Sequence, residues 1–223
     1  PGRGEALAME QIQYAFVAVL VAASVSFAVM GLGKVLRRRR LARDAHQRGL
    51  RFFPDDPYDV PRRYADFAVI SSGHSPCANN VTAGGIAGRT VRAFDFCCEL
   101  GHGTRRLTRR YSVAVAETHL SQPSLLMWHA GDGELAPLAA RDVQGQVGQW
   151  SFCGSRELAE TVQAACRHLG HAQPSVEIRG SVVLIAVPVR RSIRQYALAL
   201  DEVSGIIEAL DGPRGPKLPA AAA

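Results

Sequence analysis

The longest uninterrupted apolar pattern in the chain runs from Gln11 to Gly33, QIQYAFVAVLVAASVSFAVMGLG, and contains no charged residue. At about 1.5 Å rise per residue, roughly 20 apolar residues cross the ~30 Å hydrocarbon core of a bilayer as a helix. The run therefore predicts a transmembrane helix over 11–33. KVLRRRRLAR follows at once, the helical pattern continues from Lys34 to Gln47, and Gly49 suits a left-handed cap at its end. A secretory signal peptide is the rival reading; it wants a basic start, an apolar run of about 7–15 residues and a small-residue cleavage site. Here the residues before the run (Arg3, Glu5, Glu10) are close to neutral, the run is too long, and arginines begin directly after it. A retained span is expected, preceded by an external tail over 1–10.

Past the span the pattern changes twice. LRFFPDDPYDVPRRYADF is rich in Pro and Asp and reads as a turn-dense connection, so residues 34–64 form a basic juxtamembrane helix and connector. From Phe67 the period becomes that of strands: FAVIS, RTVRAFDFCCEL, RRLTRRYSVAVAETH and SLLMWHA are separated by Gly, Asn, Pro or Ser. Tyr111, Val113 and Val115 alternate with Ser112, Ala114 and Ala116, giving one bulky and one small face. LGHGTRR, with Gly101 and Gly103, reads as the loop of an antiparallel hairpin, and GDGELAPLAARDVQGQVGQW as a surface excursion with weak structure. A helix is expected over 155–168 with Leu158, Val162, Ala165 and Leu169 on one face, stopped by Gly170. SVEIRGSVVLIAVP suggests two strands, or one bent at Gly180. The last helix opens on a capping box, Ser192 with Gln195, buries Ile193, Ala197, Leu200, Val203, Ile207 and Leu210, and ends at Gly212-Pro213. The fold class is α+β: a single N-terminal transmembrane helix, then a mainly antiparallel sheet domain over 65–212 with two amphipathic helices packed on it, and a low-complexity tail over 213–223.

Composition narrows the setting. About 190 residues follow the span, enough for one compact domain, and 47% apolar content fits an ordinary core. The net charge of +6 matters less than its distribution: from Lys34 to Arg63 there are ten Lys/Arg against four Asp. Arg37, Arg38, Arg39, Arg40 and Arg43 beside a span attract anionic lipid headgroups, at about 1 kcal/mol per basic residue near the surface. Translocating them opposes the positive-inside rule, so the N-terminus is expected outside a bacterial inner membrane and the domain in the cytoplasm. No nucleic-acid motif accompanies the basic run, and no nucleic-acid partner is expected. Cys77, Cys97, Cys98, Cys153 and Cys166 are odd in number and lack paired spacing. They suggest no disulfide framework and agree with a reducing compartment.

Candidate chemistry is sparse. No His lies between Gln11 and Gly33, which excludes an axial imidazole ligand for haem or chlorophyll within the span. Ala15, Ala18, Ala22 and Ser26 form a small-residue stripe at helical spacing: either a docking face for another helix, or lipid-facing small residues. Asp55, Asp56 and Asp59 lack the spacing of a calcium loop and fit turn chemistry better. GGIAGRT (84–90) matches neither phosphate-loop nor dinucleotide spacing and reads as a loop between strands. Ser112, His119 and Asp132 are hydrolase residue types without a nucleophile elbow. His74-x-x-Cys77 is half of a zinc pair with no second half, and the adjacent Cys97 and Cys98 point to opposite faces of a strand. No metal, catalytic or cofactor residue is assigned. Arg105, Arg106, Arg109 and Arg110 around the hairpin would make a compact positive patch for an acidic partner, or a solvated face. Trp128 and Trp150 are interface anchors or core.

A run of short motifs carries a resemblance. It begins with Ala42, Arg43, Gly49, Leu50 and Phe52, and passes through Asp56-Pro57, Pro61-x-Arg63-Tyr64, Asn80-Val81 and Gly84-x-x-x-Gly88. It ends with Val91-x-Ala93-Phe94-Asp95-Phe96, the Gly101/Gly103 turn and Ser112-Val113. Over about residues 41–117 the chain resembles a group of uncharacterised bacterial membrane-anchored proteins. The resemblance implies one or two N-terminal spans and a cytoplasmic α+β domain, and no activity or cofactor. The C-terminal half departs from the group, and Cys97-Cys98 stands where aromatic or polar residues are usual.

Two readings follow. The first is a non-catalytic accessory subunit of a larger integral-membrane complex, of respiratory or photosynthetic reaction-centre or antenna type. It would dock on other subunits through its span and its basic domain. The second is a membrane-tethered enzyme or sensor with a site built from His74, Cys77, Asp95, Cys97 and His102.

Overall fold

The computed structural model describes residues 3–86, 88–129, 143–166, 174–188 and 194–211. Ser192 of the expected capping box, the stops at Gly170 and Gly212-Pro213, Asp132, Leu169, Ile193 and the tail over 213–223 lie outside them. The chain divides into two compact units, one ending at Leu41 and the other beginning at Ala42.

Helix α1 (Arg3–Gln47) opens the chain, so most of the expected external tail is already helical. Every residue from Gln13 to Leu36 is exposed, including Phe16, Leu20, Val25, Phe27 and Met30. It is the one described helix long and apolar enough to cross a membrane, with a mean hydropathy of 2.4 in its most apolar window. Its end is closed as its sequence suggests. Gly49 takes φ +71°, the Leu50 N–H donates to the Ala45 carbonyl at 2.8 Å and the Gly49 N–H to His46 at 3.0 Å, satisfying two carbonyls that a helix end leaves open.

The second unit is built on seven described strands: β1 (Arg51–Phe53), β2 (His74–Ile86), β3 (Arg89–Leu100), β4 (Leu107–His129), β5 (Gly145–Val147), β6 (Trp150–Gly154) and β7 (Ser175–Pro188). All pairings are antiparallel, in the order β1-β2-β3-β4-β6-β5, with β7 paired to β4. The hairpin expected around Gly101 and Gly103 joins β3 to β4. The two runs RRLTRRYSVAVAETH and SLLMWHA prove to be one long strand. The turn-forming residues between them are absorbed as irregular pairing: Glu117 faces Val182, Gln122 faces Gly180 and Leu125 faces Ile178. β4 thus spends more residues than β7 on the same length of ladder, and Pro123 falls in that slip. β7 is a single strand bent at Gly180, whose φ of +57° a side chain would resist. Two expectations change. The excursion before Trp150 contributes strand β5, and the Gly-rich GGIAGRT is shared between two strands, Gly84–Ile86 ending β2 and Arg89 and Thr90 opening β3.

Short helices complete the connector: α2 (Val60–Arg63) and α3 (Ala68–Ser71). FAVIS is therefore helical after Phe67, not a strand. A short run that is apolar throughout does not reveal its own period. What decides it lies far away in sequence: the Glu177 carboxylate on β7 accepts the Ala68 N–H at 2.6 Å and so holds the first turn of α3. Phe94, Phe96, Val113, Val115, Leu184 and Ala186 form a cluster with Val60, Tyr64, Phe67, Val69 and Ile70 of the connector. Across the sheet, Ala93, Ala114 and Ala116 are fully buried and leave room for α5 (Arg194–Asp211), which packs on β3, β4 and β7. The small face seen in the Ser112, Ala114, Ala116 alternation is thus the helix-bearing face.

α4 (Arg156–Ala165) starts at Ser155, whose hydroxyl accepts the Leu158 N–H at 3.4 Å; it packs on α5 and on β4, β5 and β6, and buries Leu158, Ala159 and Val162. On α5, Leu200, Val203 and Ile207 are buried as expected, joined by Tyr196, Ala199 and Ile206, while Ala197 and Leu210 are half-exposed. The buried stripe is rotated slightly because Tyr196 is drawn inward. Its hydroxyl lies 2.6 Å from Thr82 Oγ1, 2.7 Å from the Ala93 carbonyl and 3.0 Å from that of Asn80.

Two outcomes test this packing. Leu200→Ala, at a site 1% exposed, is expected to cost about 2–5 kcal/mol in denaturant unfolding of the detergent-solubilised chain; a negligible loss would mean α5 faces the other way. Burial pushes the Glu177 carboxyl above its ordinary range, against the Arg179 Nε–H and Ala68 N–H bonds that favour the charged form. A raised folded value means stability that is fully present below the unfolded carboxyl, near pH ~4.3, and lost as pH rises through the folded value. Relative to Glu177→Gln, the wild-type chain is expected to lose stability as pH rises from about 4 towards neutrality. A flat or rising difference would show that the two hydrogen bonds outweigh burial.

Candidate functional site

The span-side residues take positions that follow from helix geometry. Ala15, Ala18, Ala22 and Ser26 are exposed on α1, and the Ser26 hydroxyl donates to the Ala22 carbonyl at 2.8 Å, so its polarity is satisfied within the helix. Arg37, Arg38, Arg39 and Arg40 are consecutive. At roughly 100° per residue their side chains fan around the axis as a collar rather than a stripe. Arg43 is exposed one turn later.

At the β3–β4 hairpin the four arginines are brought together in chain but not on one face. Arg105 sits in a short 3-10 turn (Gly103–Arg105) and is exposed. Arg106 reaches Glu99 at 3.2 Å. Arg109 and Arg110 are successive strand residues, opposite Cys98 and Cys97, and point to opposite sides of the sheet.

The same end of the sheet corrects the cysteine reading. Cys77 and Cys97 face each other across β2 and β3 with a Cα–Cα distance of 5.3 Å, and they form a disulfide. The pairing was invisible in sequence because strand register, not spacing, opposes the two residues. The bond also withdraws the support that reduced cysteines lent to a cytoplasmic domain. Cys98, on the other face, is buried as a small apolar filler, its thiol pushed up chiefly by burial. Cys166 is pushed up to about 12, again chiefly by burial.

The remaining candidates are used locally. His74 stacks on His102 with ring centroids 5.0 Å apart and lies 3.8 Å from Glu99, while Cys77, its partner in the half zinc pair, is bonded to Cys97. Asp95 accepts from Asn80 Nδ2 at 2.7 Å. The Asp56 carboxylate accepts the Tyr58 and Val60 N–H groups at 3.0 and 2.7 Å, ordinary turn chemistry that opens α2. Ser112 is buried and His119 exposed, seven residues apart on one strand, a separation on the order of 20 Å. Among the described residues no group of three or more His, Cys, Asp or Glu could hold a metal ion. Trp128 is core, 5% exposed, packed with Ala68 and Leu126.

One site was not read from the sequence. An open groove of about 500 Å³ lies at the β1–β2–β3 edge, lined by Arg51, Tyr58, Ala83, Gly84, Gly85, Gly88, Arg89, Thr90 and Arg92. Arg89 is 7% exposed and pairs with Asp211 of α5. Arg92 bonds the Tyr64 hydroxyl at 3.0 Å, lies 3.6 Å from Glu117 and sits over the Tyr58 ring at 5.7 Å. The sequence signal was GGIAGRT itself, which fails as a nucleotide loop but becomes meaningful once β1 sets Arg51 beside it.

The fold therefore defines a class: one helix long and apolar enough to cross a membrane, and an α+β unit built on an antiparallel sheet. No protein-family model matches the chain, and comparison with curated protein sequences returns no match. Among solved structures, the mycobacterial trehalose monomycolate transport factor A, TtfA, is similar to 81% of this chain and to 98% of its own, with a TM-score of 0.53 and 16% identity. At that identity the likeness is one of fold.

Proposed function

We propose that the chain is a non-catalytic accessory subunit of a larger integral-membrane assembly in a bacterial inner membrane. It crosses once, with its N-terminus outside and its α+β domain in the cytoplasm. The observation that carries this reading is the unbroken exposure of α1 from Gln13 to Leu36, followed at once by Arg37–Arg40. Large apolar side chains uncovered on every side of a helix need hydrocarbon or other helices around them. The arginine collar resists translocation and meets anionic headgroups. The Ala15, Ala18, Ala22, Ser26 stripe allows a partner helix to approach closely. The hairpin arginines, divided between two faces, suit a cytoplasmic partner surface that wraps the hairpin end. Similarity in fold to a protein named as a transport factor weighs towards a transport assembly rather than a respiratory or photosynthetic host.

Two experiments test this. Solubilised gently from its native membrane, the chain is expected to co-purify in fixed ratio with other integral-membrane proteins. Ala18→Leu combined with Ala22→Leu is expected to lower that recovery several-fold without preventing insertion. A chain recovered only as a lone monomer would sink the accessory reading. The orientation rests on the arginines alone, since a disulfide is at home in an oxidising compartment. In growing cells the domain is expected to be shielded from external protease, and cleavage from outside would reverse the orientation.

A further inference from the structure

The groove at the β1–β2–β3 edge is unused by the accessory reading, and its chemistry is specific. Three of its nine lining residues are arginines and none is acidic. Arg51 is exposed and has no ion pair among the described residues. Arg89, more than nine-tenths buried, pairs with Asp211 yet keeps a buried Nε–H without an acceptor, and the Nε–H of Arg92 is in the same condition. Buried donors on a cation call for an acceptor, and a guanidinium fork matches the oxygens of a phosphate in two-point contact. Gly85 and Gly88 keep the wall free of side chains, so a ligand group can approach the main chain there, whereas Gly84 makes room for Leu50. Asp211 offsets Arg89 and Glu117 lies near Arg92, but among the described residues no acidic group pairs with Arg51, so the groove keeps positive charge there.

We propose that this groove binds a phosphate group, either free or carried by a lipid headgroup. The full chain in neutral detergent is titrated by calorimetry, in one arm with inorganic phosphate and in the other with dihexanoyl phosphatidic acid; the tighter arm identifies the source. Saturable binding is expected in at least one arm. Arg51→Ala, at an exposed position, is expected to weaken it about tenfold, the scale of one charge-assisted hydrogen bond. Gly85→Val removes no charge, and a Cβ there meets nothing closer than the Arg89 carbonyl at 3.8 Å, so it fills the groove without disturbing its wall. It is expected to weaken binding comparably, while Arg105→Ala at the other hairpin leaves it unchanged. The proposal is overturned if neither probe binds at millimolar concentration. It is equally overturned if Arg105→Ala weakens binding as much as Arg51→Ala while Gly85→Val has no effect, since binding would then follow bulk charge. These outcomes are independent of whether the chain has a membrane partner.

Discussion

The α+β unit depends on the ladder between β4 and β7. It pairs Tyr111 with Pro188 at one end and Met127 with Val176 at the other, so it joins stretches about 50 to 80 residues apart in sequence. Both strands are buried along most of its length, and β4 also carries β3 and β6. The slip near Gln122, met by the left-handed Gly180, lets one strand serve both halves of the sheet. Loop closure must precede the reward from such non-local pairs, and the covering elements then dock on a finished surface. α5 lies on the small-residue face, the connector on the other, and Glu177 reaches from β7 to set the start of α3.

Charge is distributed with the same economy. The collar at Arg37–Arg40 follows directly from helical spacing and faces whatever surrounds α1. Within the domain, Arg48 bridges Asp44 and Asp201, Arg89 pairs with Asp211, and Arg179 covers the carboxylate of Glu177 while sitting 5.9 Å from the Phe67 ring. Arg51 is exposed without an ion pair among the described residues and lines the same groove as two guanidinium groups with buried, unmet donors. Those buried donors separate the groove from the hairpin end, where Arg105 and Arg110 are exposed and Arg106 holds Glu99.

Much of the architecture was legible because it is local. Helix α1, its Gly49 cap, the Gly101/Gly103 hairpin, the bend at Gly180 and the faces of α4 and α5 all follow from periodicity and turn chemistry within about ten residues. The misses share a cause. FAVIS needed Glu177 to make it helical, the break before SLLMWHA needed β7 to bridge it, and β2 needed β1 and β3 to show that a Gly-rich stretch can be strand.

The candidate sites divide in the same way. Sequence alone determined that the chain has an uncharged helical run ended by arginines, because length, hydropathy and charge are properties of consecutive residues. It also determined the α+β class. Only the tertiary structure decided that Cys77 meets Cys97, that Arg109 and Arg110 part to opposite faces, and that Arg51, Arg89 and Arg92 share a groove. Those outcomes depend on strand register, which is set by the packing of the whole sheet; a shift of one residue would have reversed every face.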